Sequence, residues 1–136
     1  MVSSMHAWTR PALALMVAAM LALPASAKYN NGFDPDPAEV AKLPKFCQGQ
    51  YIASLANRPG YHIEGCAASN HFCPSLVLLN RAANFTLSKQ ERQYAIQQAG
   101  DNLGYTRGHM TPPSCWLWPQ QNFAESRYKL LKSMLK

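Results

Sequence analysis

Two cysteines and a histidine lie close together in the segment 65–73, which reads GCAASNHFC. Thiolates and imidazoles are ligands that copper(I) and zinc accept, so the first candidate chemistry is a metal or redox site. The residues available to it are Cys66, His71, Cys73 and Cys115. On one helix the side chains of His71 and Cys73 would point about 200° apart. The sequence also lacks the C-x-x-C, C-x-x-C-H and H-E-x-x-H motifs, which makes this site the secondary interpretation.

The same cysteines can instead form disulfides. The sequence has four, at positions 47, 66, 73 and 115, and an even number in an exported chain indicates two bridges. Three pairings are open. We predict that Cys47 pairs with Cys73, because both lie on core-facing stripes of helices that a turn at Pro59-Gly60 makes antiparallel. Cys66 is then left for Cys115, and each bridge would stabilise a small domain by about 2–4 kcal/mol.

The start of the chain has the order of a secretory signal peptide. Arg10 precedes an apolar run over 11–23, and Ala25-Ser26-Ala27 forms an A-x-A cleavage site. We therefore expect residues 1–27 to be removed and a periplasmic or secreted protein to begin at Lys28. The apolar run is about a dozen residues, short of the roughly 20 needed to span a bilayer, so no stable membrane insertion of the mature chain is expected.

Charge and carboxylate content argue against two classes of function. Thirteen Lys and Arg residues stand against seven Asp and Glu, a formal net charge of +6, which favours anionic partners at long range. No run of basic residues alternates with aromatic residues, as single-strand binders require, so no nucleic-acid partner is expected. No nucleophile elbow surrounds the serines, and carboxylates for acid–base catalysis are few. The sequence therefore predicts neither an enzyme nor a cofactor.

Helix signals begin at residue 36, after a polar segment 28–35 that is predicted to be a flexible leader. The pattern D-P-x-E at 36–39 predicts a short helix with an N-cap aspartate and a proline in its first turn. A second helix is predicted from about Pro44 to residue 57. Its buried face would hold Cys47, Tyr51 and Leu55, which are four residues apart.

Two further helices are predicted to form a hairpin. The first covers 66–85, with its main part beginning at Pro74. Arg81, near its end, is interpreted as a capping or solvated residue, and the alternative is that it bonds the carbonyls of a neighbouring helix end or binds an anion. An S-x-x-E capping box at 88–91 begins the next helix. The loop between them is short, so the two helices should pack antiparallel.

Glycines at every fourth position, Gly100, Gly104 and Gly108, interrupt the second helix of this hairpin. Each costs about 1 kcal/mol relative to alanine. Either they form a smooth face that another backbone approaches closely, or the helix frays after Gly104.

The last part of the chain combines an apolar segment with an amphipathic helix. The segment 115–119 is predicted to be extended, and the helix is predicted to open around Asn122. Its buried side would hold Phe123, Arg127, Leu130, Leu131 and Met134. In an extended segment alternate side chains point to opposite faces, so Trp116 and Trp118 cannot point inward together with Leu117. A helical turn there would instead expose at least one tryptophan.

A family resemblance is carried by the string NHFCP at 70–74, by Leu76 and by LNRA at 79–82. These residues resemble a family of small exported proteobacterial proteins that are tetratricopeptide-repeat-like and mostly uncharacterised. The resemblance covers about residues 43–135 and implies an antiparallel helical hairpin and no reaction. The chain lacks the W-x-x-L-G-x-x-Y pattern of the repeat and has room for at most one and a half repeats, so a solenoid groove is not implied.

The predicted fold class is all-α: a small tetratricopeptide-repeat-like helical-hairpin domain of three to five helices over 36–136, braced by disulfides. The leading hypothesis is an exported interaction or self-assembly module whose partner is an envelope protein or a second copy of the chain. Its predicted binding residues are Trp116, Leu117 and Trp118, because exposed aromatic side chains anchor many interfaces. The alternative is a periplasmic metal-binding or redox protein that uses the Cys/His cluster.

Overall fold

The computed structural model describes residues 30–136, so the predicted signal peptide and Lys28 lie outside the described residues. Five α-helices and one turn of 3₁₀ helix follow one another in this part of the chain. The α-helices are α1 Pro37–Val40, α2 Lys45–Gln48, α3 Phe72–Ala83, α4 Lys89–His109 and α5 Trp118–Met134, and the 3₁₀ turn is Ala53–Leu55. Between residues 30 and 136, strand-type pairing is limited to one isolated bridge between Ala67 and Thr111. The prediction of an all-α, disulfide-braced fold is confirmed.

The antiparallel pair α3 and α4 forms the centre of the domain. Pro74 occupies the third position of α3, where its missing N–H leaves no intrahelical hydrogen bond unmade. Ser88 caps α4 through the predicted capping box, in which its side chain accepts from the Glu91 amide and the Glu91 carboxylate accepts from the Ser88 amide. The pair buries a continuous apolar core. Its fully buried members include Val77, Leu78, Leu79, Ala82, Ala99 and Leu103.

Both disulfides tie the less regular half of the chain to this core. Cys47 of α2 is bonded to Cys73 of α3, and Cys66 is bonded to Cys115 just before α5. These are the two pairs that the sequence analysis favours. All four cysteines are buried, so each disulfide also contributes to the packing of the core. The bonds close loops of 26 and 49 residues, long enough to remove substantial chain entropy from the unfolded state.

The start of the described chain, residues 30–35, belongs to the segment 28–35 that is predicted to be a flexible leader, and it contacts the domain. Gly32 is buried, and its carbonyl accepts a hydrogen bond of 3.0 Å from the Tyr51 hydroxyl. A Cβ at Gly32 would come within 2.5 Å of the Pro74 carbonyl oxygen. Hydrogen bonds join these residues to one another and to Tyr51 and Arg81.

The second predicted helix is much shorter than its spacing suggested. It ends at Gln48, because Gly49 donates to the Tyr61 carbonyl at 2.8 Å and the chain turns there. A Cβ at Gly49 would lie 2.2 Å from that oxygen, so only glycine permits this contact. Cys47 is buried as expected, whereas Tyr51 and Leu55 lie in the turns that follow.

The glycines of α4 do not end the helix, which continues to His109. The fraying alternative is therefore wrong. The close-approach alternative applies at one position, and to a side chain instead of a backbone: a Cβ at Gly100 would lie 2.7–2.9 Å from atoms of the Tyr128 ring. Gly104 and Gly108 have open space at the corresponding position.

None of the helices between residues 30 and 136 is long and apolar enough to cross a bilayer.

Candidate functional site

Helix α5 presents to solvent most of the face that the sequence analysis assigned to the core. Leu131 is buried as predicted, but the exposed fractions of Phe123, Leu130 and Met134 are 71%, 60% and 57%. Arg127 lies between them and is half-buried. Spacings of four, three and four residues place all four exposed or half-buried side chains on one helix face. We call Phe123, Arg127, Leu130 and Met134 the α5 stripe.

The orientation of α5 follows from a second apolar face that competes with the α5 stripe. Ala124, Leu131 and Leu135 are buried, as are Leu117 and Gln121 at the start of the helix. The Gln121 amide donates to the Leu103 carbonyl of α4 at 2.8 Å, with no exposure of its side chain. A buried hydrogen bond of this kind fixes the helix rotation, because breaking it would leave both groups unsatisfied.

Polar contacts at the surface hold α5 in the same rotation. Arg107 of α4 donates from Nε to the Glu125 carboxylate and from Nη2 to Asn122 Oδ1, and Gln121 also donates to Glu125. Partial burial raises the pKa of Glu125, but the hydrogen bonds from Arg107 and Gln121 outweigh it, so this pKa lies below its ordinary value. Glu125 is therefore ionised at neutral pH and links α4 to α5.

The segment Trp116-Leu117-Trp118 is helical in part and not extended, which changes the predicted binding residues. Leu117 has αR backbone angles and caps α5, and its side chain is completely buried. Trp118 begins the helix and is half-buried, whereas Trp116 is 46% exposed. The helical alternative, with at least one tryptophan exposed, is the one observed. Leu117 is part of the core, and Trp116 is the most exposed of the three residues.

Trp116 and the α5 stripe are joined by an apolar surface over α2. The Trp116 ring packs edge-on against Phe46, with centroids 5.1 Å apart, and its Nε1 donates to the Glu64 carbonyl at 2.9 Å. Phe46 and Phe123 line the same cavity of about 220 Å³ between α2 and α5. The cavity floor includes Leu76, which is half-buried on α3. One apolar surface therefore runs from Trp116 through Phe46 to the α5 stripe.

A second, more polar cavity of about 420 Å³ adjoins the first on the side of α1. Lys42, Asn80 and Arg127 line both cavities. Arg127 Nη2 donates to Asn80 Oδ1 at 2.9 Å and to the Leu79 carbonyl at 3.4 Å. Burial lowers the pKa of Arg127, which is the expected effect when a cation is withdrawn from water.

The Cys/His cluster is not assembled as a metal site would need. Cys66 and Cys73 are bonded to different cysteines, and the His71 ring donates from Nδ1 to Asn102 Oδ1 at 2.7 Å. Its ring stacks at 4.0 Å on Tyr105, which in turn stacks at 4.3 Å on His109. Among residues 30–136 no three His, Cys, Asp or Glu side chains come close enough to share a metal ion.

Sequence reasoning did not find the contribution of Phe46 or the exposure of Phe123 and Leu130. A signal for the latter was present, since α5 carries two apolar stripes and a helix that packs on one side can bury only one of them. The half-buried ring of Phe46 had no such signal, because the rings it contacts, Phe72 and Trp116, are distant in the sequence.

Comparison with protein-family models, with curated proteins and with solved structures found no match to this chain.

Proposed function

We propose that this chain is an exported helical interaction module that binds its partner through the α5 stripe together with Phe46 and Trp116. The observation that carries the proposal is that three large apolar side chains, each more than half exposed, lie on one face of α5. In this proposal α3 and α4 form a tetratricopeptide-repeat-like hairpin, and α5 covers one side of it and offers its own free face to the partner.

The energetics of apolar surface support a contact site. Single exposed apolar residues are ordinary, but a contiguous group on one face of a soluble domain commonly marks an interface. Covering such a group releases about 25 cal/mol per Å² of apolar area removed from water. Aromatic side chains give the largest gains at interface centres, and Phe123 and Trp116 are the exposed aromatics of this surface.

The α5 stripe also borders a cavity, which is a second feature typical of an interface. Phe123 lies beside the cavity of about 220 Å³ that Phe46 and Leu76 also line, so the surface is concave next to its most exposed ring. Interface anchors insert into pockets of this size, and the pocket walls exclude water around them. The surface is therefore suited to receive a side chain as well as to present one.

The experiment is site-specific photo-crosslinking in cells that export the full chain. Benzoylphenylalanine replaces Phe123 in one strain, Leu130 in a second and Phe85 in a third. Phe85 is a matched control, because it is 75% exposed but lies in the loop between α3 and α4. We expect a discrete crosslinked product from positions 123 and 130 and none from position 85.

The mass of that product separates a second copy of the chain from a different envelope protein. The proposal fails if positions 123 and 130 give no product, or if position 85 gives the same products in the same yield.

A further inference from the structure

We propose that the α5 stripe recognises an apolar polypeptide segment that carries a carboxylate, with Arg127 as the partner of that carboxylate and Lys42 as a second cation beside it. This inference rests on the proposed function and specifies the chemistry of the partner. The occupant is thus a protein segment with a Glu or Asp between apolar residues.

The first argument is that Arg127 differs from the other well-anchored arginines. Arg81 is paired with Glu39, and Arg107 with Glu125. Within residues 30–136, Arg127 has no carboxylate partner, and its hydrogen bonds, both from Nη2, go to a side-chain amide and a backbone carbonyl. Its Nε and Nη1 groups make no hydrogen bond within these residues. A guanidinium has five N–H donors, so this side chain retains most of its capacity.

The second argument is the position of Arg127. It lies at the centre of the α5 stripe, between Phe123 and Leu130, so any partner that covers these two residues also covers the guanidinium. Burying a charged group without a counterion is strongly unfavourable and would cancel much of the gain from the apolar contact. A carboxylate on the partner removes this cost and can form paired N–H···O bonds with the guanidinium fork.

The third argument is the charge around the groove. Lys42 is exposed, lines both cavities with Arg127 and forms no ion pair with any residue between 30 and 136. The polar cavity is also lined by two carboxylates: Asp36, which accepts from the Glu39 amide as the cap of α1, and Glu39, which is bonded to Arg81. Three cations, Lys42, Arg81 and Arg127, line the cavity against these two carboxylates, so a net positive charge remains at the boundary between the polar cavity and the apolar one. A segment with adjacent carboxylate and apolar side chains matches that boundary.

The experiment compares two peptides that differ in one side chain. The acidic probe is acetyl-Leu-Phe-Glu-Leu-Leu-amide and the neutral probe is acetyl-Leu-Phe-Gln-Leu-Leu-amide. Each is titrated into the isotopically labelled exported protein, and binding is followed by amide chemical-shift changes. We expect shifts around Phe123 and Leu130 and a Kd about tenfold lower for the acidic probe, as a charged hydrogen-bonded pair can provide.

Variants assign the preference to the two cations. Arg127→Gln should abolish the tenfold preference for the acidic probe. Lys42→Gln should reduce this preference by a smaller factor. Arg58→Gln is the matched control, because Arg58 is exposed and lies in the turn region after the 3₁₀ helix. Phe123→Ser should weaken both probes equally. Lys42→Gln changes an exposed side chain, so it tests the inference even if Arg127→Gln lowers the stability of the fold.

The inference is overturned if both probes bind with equal Kd, if neither binds at millimolar concentration, or if the preference survives in both Arg127→Gln and Lys42→Gln. Cosedimentation with phosphatidylglycerol vesicles is the comparison for a lipid surface. Binding to vesicles that Phe123→Ser abolishes, without binding to either peptide, would also overturn it. Crosslinks from position 123 that persist under any of these outcomes would leave the interaction module standing with a partner of other chemistry.

Discussion

Helices α3 and α5 differ in how much of their apolar surface is buried. In α3, nine of 12 residues are buried, because α4 and α5 pack on it and α2 is bonded to it through Cys47 and Cys73. In α5, three of 17 residues are buried, and Phe123, Leu130 and Met134 are in water. The difference shows that α5 is a covering helix with one face used by the fold and another left available. The polar composition of α5 already marks it as a surface helix, but it does not say which of its two apolar stripes is buried.

Arg81 of α3 and Arg127 of α5 differ in a similar way. Arg81 of α3 is 3% exposed and donates to both carboxylate oxygens of Glu39 at 2.7 and 2.9 Å, while its Nη1 donates to the Asn30 carbonyl. It therefore joins α1 and the start of the described chain to α3, and the expectation of a capping, solvated or anion-binding residue is wrong. Arg127 of α5 has only neutral acceptors among residues 30–136. Arg81 therefore stabilises the fold, and we infer that Arg127 binds a partner.

The largest expected effect comes from these two arginines. Arg81→Met should lower the free energy of unfolding by about 3–5 kcal/mol, because it leaves the Glu39 carboxylate in a mostly buried site without its counterion. Arg127→Met should cost less, about 1–2 kcal/mol, because it removes hydrogen bonds to Asn80 and Leu79 but no ion pair. Urea denaturation with the disulfides intact measures both. Equal losses would mean that Arg127 is as much a part of the fold as Arg81.

Truncating one leucine on each helix should give the next largest effect. Leu78→Ala on α3 removes a fully buried side chain and should cost about 2–5 kcal/mol through lost burial and the cavity left behind. Leu130→Ala on α5 removes a side chain that is 60% exposed and should change stability by less than about 0.5 kcal/mol. Thermal unfolding provides the comparison. A loss above 2 kcal/mol from Leu130→Ala would contradict the assignment of a free face to α5.

The buried side of α5 can be tested through the glycines of α4. Gly104→Ala should stabilise the protein by about 1 kcal/mol, because the new Cβ meets open space and alanine favours the helix. Gly100→Ala should give no such gain, because its Cβ would displace the Tyr128 ring that packs α5 on α4. The difference between their melting temperatures is the measurement. Equal stabilisation by both substitutions would show that the close approach of the Tyr128 ring to Gly100 does not contribute to packing between α4 and α5.

The smallest expected effect concerns the ion pair between α4 and α5. Because the pKa of Glu125 is lower in the folded protein, its contribution is complete above the ordinary value of 4.5 and is lost as pH falls through the lowered pKa. Glu125→Gln should therefore cost below about 1 kcal/mol at pH 7, and the difference from the parent protein should shrink at acid pH. Denaturation at pH 7, 5 and 3 checks this. A stability difference between Glu125→Gln and the parent protein that grows at low pH would contradict this prediction.

The parts of the fold that the sequence predicted correctly depend on short-range chemistry. The capping boxes at Asp36 and Ser88 were readable because both partners of each hydrogen bond lie three residues apart. Pro74 was expected near a helix start for a similar local reason. The pair Cys47–Cys73 was inferred from helix faces and Cys66–Cys115 by elimination, and the structure contains both pairs. The resemblance to tetratricopeptide-repeat-like proteins stays a prediction.

The candidate site was predicted only in outline, because its residues are selected by distant contacts. An apolar surface near Trp116 was expected, but Leu117 proved to be core, and Phe46, which is next to the bridged Cys47, packs against Trp116.

By itself, the sequence determined the helical class, the helix starts marked by capping residues, and cysteine positions that can be bridged. All three follow from periodicity and from hydrogen bonds between neighbours in the chain. Only the tertiary structure decided which stripe of α5 is buried, because Gln121 and Glu125 bond to residues of α4 that are 18 positions away. The same holds for Arg81, whose carboxylate partner lies 42 positions earlier in the chain. A helix sequence offers several faces, and the neighbours that fold against it select the one removed from water.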